Sequence, residues 1–188
     1  MNSPIRLILA VALLLATPLT GVRAVAGGSE PASESPTHFI LVRHAEKEAG
    51  GSDPALTQAG IDRASALSHI LGDTPIHALY ASQFSRAQLT LDPLSGRTKL
   101  EIQVAPIEGA VEDWARTFAA ELKQRHLGET VVVAGHSNTT PFLARALGAT
   151  APEMTEKDYD DLYWVTLRGD GSTDYVEFRH LHYGEPSD

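Results

Sequence analysis

Phe39-Ile40-Leu41-Val42-Arg43-His44 and Val131-Val132-Val133-Ala134-Gly135-His136-Ser137 share one pattern. Each is an apolar run of strand length that delivers a histidine at its carboxyl end, and the first histidine has an arginine beside it. Short continuous apolar runs suit strands buried on both faces, as in parallel sheets covered by helices. In such sheets ligands gather beyond the carboxyl ends of the strands. Two histidines and an arginine meeting there suit an anionic ligand and phosphoryl chemistry on imidazole.

Working outward, His77 to Ala81 reads as another strand, and Glu101 to Ala105 as a weaker one. Amphipathic stretches lie between them. Ile61, Ala64, Leu67 and Leu71 share a helical face, with Thr57 available as N-cap and Gly72 at the stop. Phe84, Ala87, Leu91 and Leu94 form a second stripe, and Val111, Trp114, Ala115, Phe118 and Leu122 a third. Pro141 to Leu147 opens with proline near its first turn and closes at Gly148. This alternation predicts an α/β fold: a three-layer α/β/α sandwich around a mainly parallel sheet. The finish differs. Leu162 to Leu167 and Asp174 to Leu181 are extended runs joined by Gly169-Asp170-Gly171-Ser172, which reads as a hairpin.

The chain's 188 residues suit one domain with a sizeable core. Residues 1–24 stand apart from it: Arg6 precedes an apolar run from Leu7 to Leu15, and Val22-Arg23-Ala24 ends in a small residue. That is the layout of a cleaved secretory signal peptide, which predicts an exported (periplasmic or secreted) protein with no stable membrane association after cleavage. Residues 25–37 are small, polar and proline-containing, and read as a flexible linker ahead of a catalytic domain over 38–188. Cysteine is absent, which removes thiol nucleophiles, thiolate metal sites and disulfides together. The formal net charge of −9 becomes −11 once Arg6 and Arg23 leave with residues 1–24. So acidic a chain is a poor partner for nucleic acid or anionic lipid. An anionic ligand would need a locally basic pocket.

His44 is the first candidate for such a pocket, because an unprotonated imidazole nitrogen can accept a phosphoryl group. Arg43 beside it offers phosphate oxygens a planar fork of donors. Arg86, in Ala81-Ser82-Gln83-Phe84-Ser85-Arg86, falls in the first turn of the helix after the second strand. A helix start already favours anions through its free N–H groups.

With these residues in place the chain resembles the histidine phosphatase superfamily, the phosphoglycerate-mutase-like group. The matching pieces are LVRHAEK (Leu41–Lys47), ALTQAG (Ala55–Gly60), YASQFSRA (Tyr80–Ala87) and VAGHSN (Val133–Asn138), in the family's order. The resemblance implies a phosphoglycerate-mutase-like fold in which His44 becomes phosphorylated and Arg43, Arg86 and His136 grip the phosphoryl oxygens. It implies a phosphatase acting on a phosphorylated substrate with no metal or organic cofactor, and the short segment between the third and fourth strands points to a phosphate on a bulky molecule such as a phosphoprotein, sugar or lipid as well as a small molecule. Two alternatives stay open: a phosphate-binding module without catalysis, and a phosphomutase. The residue after the Arg-His pair is often glycine in the family and is Ala45 here. The family's proton donor lies beyond the third strand, where Glu108 is the candidate and Glu112 and Asp113 are rivals.

Other residues have plainer readings. His180 and His182 alternate on a strand, but no third metal ligand is evident beside them, so a half-exposed strand face is expected and no metal site. The acidic run from Glu153 to Asp161 reads as a solvated helix or loop. Gly135-His136-Ser137-Asn138-Thr139 has threonine where a serine-hydrolase elbow needs glycine. The chain between the third and fourth strands is short and largely helical, which predicts an open pocket.

Overall fold

The computed structural model describes residues 35–168 and 175–187, so the segment 1–24 and the turn after the fifth strand lie outside the described residues. Six strands form one sheet in the order β3-β2-β4-β1-β5-β6. The strands are β1 (Thr37–Arg43), β2 (Ala78–Ala81), β3 (Ile102–Val104), β4 (Thr130–Gly135), β5 (Asp161–Leu167) and β6 (Val176–His182). Four of them, β3, β2, β4 and β1, run parallel, as expected of buried apolar runs. The last two form the antiparallel finish: β5 pairs with β1 and β6 with β5. The first strand begins at Thr37, the last residue of the expected linker.

Alternation along each strand feeds two cores. Phe39, Leu41, Val131 and Val133 point to the face covered by α3 (Val111–Arg125) and α4 (Thr140–Ala146), where they meet Phe118, Leu122 and Leu143. Ile40, Val42, Val132 and Ala134 point to the face covered by α1 (Gln58–Ile70) and α2 (Ser85–Thr98), against Leu67, Leu91 and Leu94. Helices on both faces make the three-layer α/β/α sandwich. Burying each such Leu or Phe side chain contributes about 2 kcal/mol against leaving it in water. Ile61 departs from its expected stripe: it is half-exposed at the start of α1, while Ala64, Leu67 and Leu71 are buried as the pattern requires.

Two small residues have specific steric reasons. Thr57 caps α1, its side-chain oxygen accepting the Gly60 N–H at 3.1 Å, and the Thr57 N–H donates to the Glu46 carbonyl at 2.9 Å. That draws the helix start onto the loop after β1 so closely that a Cβ on Gly60 would lie 2.2 Å from the Glu46 carbonyl oxygen. Gly135 is hemmed in too: a Cβ there would come within 2.9 Å of the Thr139 and Thr140 hydroxyls. Both glycines therefore let the chain approach the two histidine-bearing loops.

Candidate functional site

The parallel register aligns the ends of three neighbouring strands. Val42 pairs with Ala134, and Ala134 pairs with Ala81. The residues that follow, His44, His136 and Ser82, consequently emerge side by side at the carboxyl edge of the sheet. The imidazole centroids of His44 and His136 lie 5.2 Å apart. Together with Arg86, Gln83, Phe84, Ser137 and Glu156 they line a cleft of about 430 Å³.

His44 is buried, and its Nδ1 lies 2.8 Å from the carbonyl oxygen of Ala45. A carbonyl only accepts, so Nδ1 carries the proton and Nε2 keeps its lone pair. Burial pushes the His44 pKa down to about 4, helped by the charges of Arg43 and Arg86 and opposed by the Ala45 carbonyl. The imidazole is therefore neutral at neutral pH. Its loop is held from both sides: Ala45 N–H donates to Thr90 Oγ1 of α2 at 2.9 Å, and Glu46 forms a forked ion pair with buried Arg63 of α1. Ala45 is fully buried in a small apolar cluster with Leu56 and Ala64.

His136 is bonded differently. Its Nε2 lies 2.8 Å from Ser82 Oγ, and its Nδ1 lies 3.5 Å from Arg86 Nη2. Guanidinium only donates, so Nδ1 accepts and Nε2–H donates to the serine hydroxyl. Burial first, then the proximity of His44, Arg86 and Arg43, lowers the His136 pKa to about 3. Arg86 lies over the Phe84 ring, with Cζ 4.4 Å from its centroid. It also faces Asp53 at 3.6 Å, and Asp53 in turn accepts the first N–H of α2.

Arg43 is 0% exposed. It donates to the Thr155 carbonyl at 2.9 Å and to Glu156 Oε2 at 2.9 Å, and its Cζ sits 4.0 Å from the Tyr159 ring centroid. The other oxygen of Glu156 accepts a short bond from the Ser137 hydroxyl. That bond, with Arg43 adding to it, holds the Glu156 carboxyl below the usual carboxylate range. The side chain of Glu156 is nonetheless 79% exposed, so it can swing away. The Nε–H groups of Arg43 and Arg86 are buried without a hydrogen-bond partner among the described residues. Unsatisfied buried donors cost free energy; Arg86 lines the cleft, and Arg43 is joined to it through its ion pair with Glu156.

Arg43, His44, Arg86 and His136 are thus brought together, as the sequence pattern expects. Glu108 is not. It is exposed and lines a separate depression with Asp113 and Trp114, whereas its neighbour Ile107 faces the cleft. Glu112 and Asp113 are exposed in the first turn of α3, where Asp113 pairs with Arg116. The carboxylate in the cleft is Glu156, from the acidic run read as a solvated segment. Nothing local in the sequence marks it, because its partner Arg43 is over a hundred positions away. Ser82 was within reach of the sequence, standing directly after a strand as the histidines do.

The model of the histidine phosphatase superfamily (branch 1) matches residues 39–107. No curated protein sequence matches the chain. Among solved structures, protein histidine phosphatase SixA complexed with tungstate is 20% identical, with a TM-score of 0.60 over 77% of this chain and 96% of that one. A mycobacterial glucosyl-3-phosphoglycerate phosphatase is 17% identical, with a TM-score of 0.58 over 79% of this chain and 98% of its own. Mycobacterial hydrolase 2 is 16% identical, with a TM-score of 0.62 over 80% and 93% respectively. These similarities carry the fold.

Proposed function

We propose that this chain, a member of the histidine phosphatase superfamily, hydrolyses a phosphomonoester or related phosphoryl compound through a phosphohistidine on His44. One observation carries the reading: the Nδ1–H of His44 is tied to the Ala45 carbonyl, which leaves a neutral ring with its Nε2 lone pair for the cleft. In the first step Nε2 bonds to phosphorus while the bond from phosphorus to the leaving oxygen breaks. Arg43 and Arg86 take the equatorial oxygens, satisfying their unpaired Nε–H groups. The incoming dianion raises the proton affinity of His136, whose ring takes up a proton from solvent and hydrogen-bonds a phosphoryl oxygen. In the second step a water oxygen bonds to phosphorus as the N–P bond breaks, its proton passing to the carboxylate that protonated the leaving oxygen, which releases inorganic phosphate and neutral His44. The guanidinium groups supply the positive charge that metal ions supply in other phosphoryl-transfer sites, so the reaction is metal-independent.

The leaving oxygen needs a proton, and Glu156 is the carboxyl group in place to give it. In the resting site Arg43 and Ser137 keep it ionised. A phosphoryl group that captures Arg43 removes one of those partners and brings negative charge close, both of which favour protonation. The exposure of Glu156 on an open cleft suits a phosphate carried on a bulky molecule. Phosphatases acting on a protein histidine and on glucosyl-3-phosphoglycerate share this fold, which leaves both a phosphoprotein and a sugar phosphate within the proposed class. The layout of residues 1–24 supports action outside the cytoplasm.

The test is a quench experiment. The protein is mixed with a radiolabelled small phosphodonor, stopped in alkali and digested, and the label is located. Acid-labile, alkali-stable label on His44 is expected, together with loss of turnover in His44→Ala. Undiminished turnover by His44→Ala would overturn the reading, and binding of phosphate without any transient label would leave a phosphate-binding module.

A further inference from the structure

A second cluster of donors lies on the antiparallel side of the sheet. His180 and His182 are alternate residues of β6, the edge strand, so their imidazoles stand on one face. In the β5–β6 register Asp161 sits directly opposite His182. Its Oδ1 lies 2.7 Å from His180 Nε2 and 3.2 Å from His182 Nδ1. Asp160 places Oδ2 3.5 Å from the same His182 nitrogen. One ligand atom from each of Asp161, His180 and His182 falls within 4.8 Å of the other two.

We infer that Asp161, His180 and His182 form a binding site for a divalent ion of the zinc class, with Asp160 as an adjoining carboxylate. Bonds of about 2.0–2.1 Å to nitrogen and oxygen set tetrahedral ligands roughly 3.4 Å apart. The 3.2 Å separation of Asp161 from His182 is already close to that, and the 2.7 Å separation from His180 needs to widen by about 0.7 Å, which rotation of the two side chains supplies. The donor set is selective as well: imidazole with carboxylate suits zinc, whereas magnesium and calcium prefer oxygen alone. The carboxylate of Asp161 is only 7% exposed and so preorganised, while His182 is 61% exposed and leaves the face of the edge strand open to an ion in solution. The alternative role for the same atoms is a pair of imidazole-to-carboxylate hydrogen bonds that bind no ion. The sequence could not separate the two, because strand pairing is what supplies the third ligand. The site joins the start of β5 to the end of β6, just after the segment that carries Glu156 and Tyr159 to Arg43.

The experiment uses the purified full chain, stripped with chelator and titrated with Zn2+ alone by calorimetry, with imidazole resonances followed by NMR. Saturable binding of one ion is expected, with the His180 and His182 resonances shifting together. Binding should weaken at least about tenfold in Asp161→Asn and in His182→Gln. Since His182 is an exposed strand residue, its glutamine variant tests the site without disturbing the core. The variant carrying both His44→Ala and His136→Ala should bind the ion as tightly as the parent. No saturable binding would overturn the inference. So would an ion that survives in His182→Gln but is lost in the His44/His136 variant, since that would place it in the catalytic cleft.

Discussion

The loop after β3 and the segment before β5 both carry carboxylates towards the edge of the sheet where His44 and His136 emerge, and only the second brings one into the cleft. Glu108 follows a short, outlying strand and turns to a neighbouring depression, while Ile107 takes the place facing the histidines. Glu156 precedes β5, which lies beside β1 and runs against it. Leu162 pairs with Val42, so the chain that leads into β5 must pass alongside the chain that leaves β1. Arg43 meets Thr155, Glu156 and Tyr159 for that reason. The lesson is that strand direction, not distance along the chain, selects which acid faces a strand-end histidine.

Removing each carboxylate in turn separates their roles. Glu156→Gln should lower kcat by on the order of a hundredfold for an alkyl phosphate, whose leaving oxygen needs a proton, since general acids contribute about 10²–10⁴. It should affect an aryl phosphate with a stable leaving anion far less. Glu108→Gln should change either rate by less than about twofold, as expected of an exposed residue off the reaction path. The reverse pattern would return the donor role to the loop after β3.

A pH profile sharpens the comparison from the other side of the cleft. The His44 pKa of about 4 lies below the ordinary 6.5, so kcat/KM should hold as pH falls from 7 and drop only as it nears 4, where Nε2 takes up a proton. An acid limb centred near 6.5 would contradict the buried, arginine-flanked site. Stability should move in the same window. The unfolded chain protonates these histidines near 6.5, while the folded one resists until about 4 for His44 and about 3 for His136. The unfolded state therefore binds more protons between these limits, and stability is lost as pH falls from 6.5 towards 4. Each histidine contributes up to about 1.4 kcal/mol per pH unit, which denaturant titrations at several pH values would measure.

The smallest effect concerns how the segment before β5 is held. Tyr159→Ala removes the ring beneath Arg43, an interaction worth about 1 kcal/mol. It should lower kcat/KM about fivefold in steady-state assays. No change would show that the arginine is positioned by Thr155 and Glu156 alone.

Most of the architecture was legible because its signals are local. Apolar runs of strand length, helical stripes and the Thr57 cap each express backbone geometry within a few residues, and they led to the three-layer sandwich and its parallel centre. Arg43, His44 and His136 were legible as strand-end residues for the same reason, whereas Arg86, at a helix start, joined them only through the family resemblance. Exposed Ile61 shows the limit of such patterns: periodicity names a face, but neighbouring elements decide how far burial extends along it.

The α/β alternation, the two strand ends that deliver histidines and the arginine beside His44 follow from sequence alone. The rest came from tertiary structure: the tautomers of His44 and His136, the placement of Glu156 and not Glu108 in the cleft, and the meeting of Asp161 with His180 and His182. The physical reason is common to all three. Proton positions, carboxylate placement and ligand sets depend on partners from other strands, and those partners are fixed by the order and direction of strands in the sheet, which no local pattern encodes.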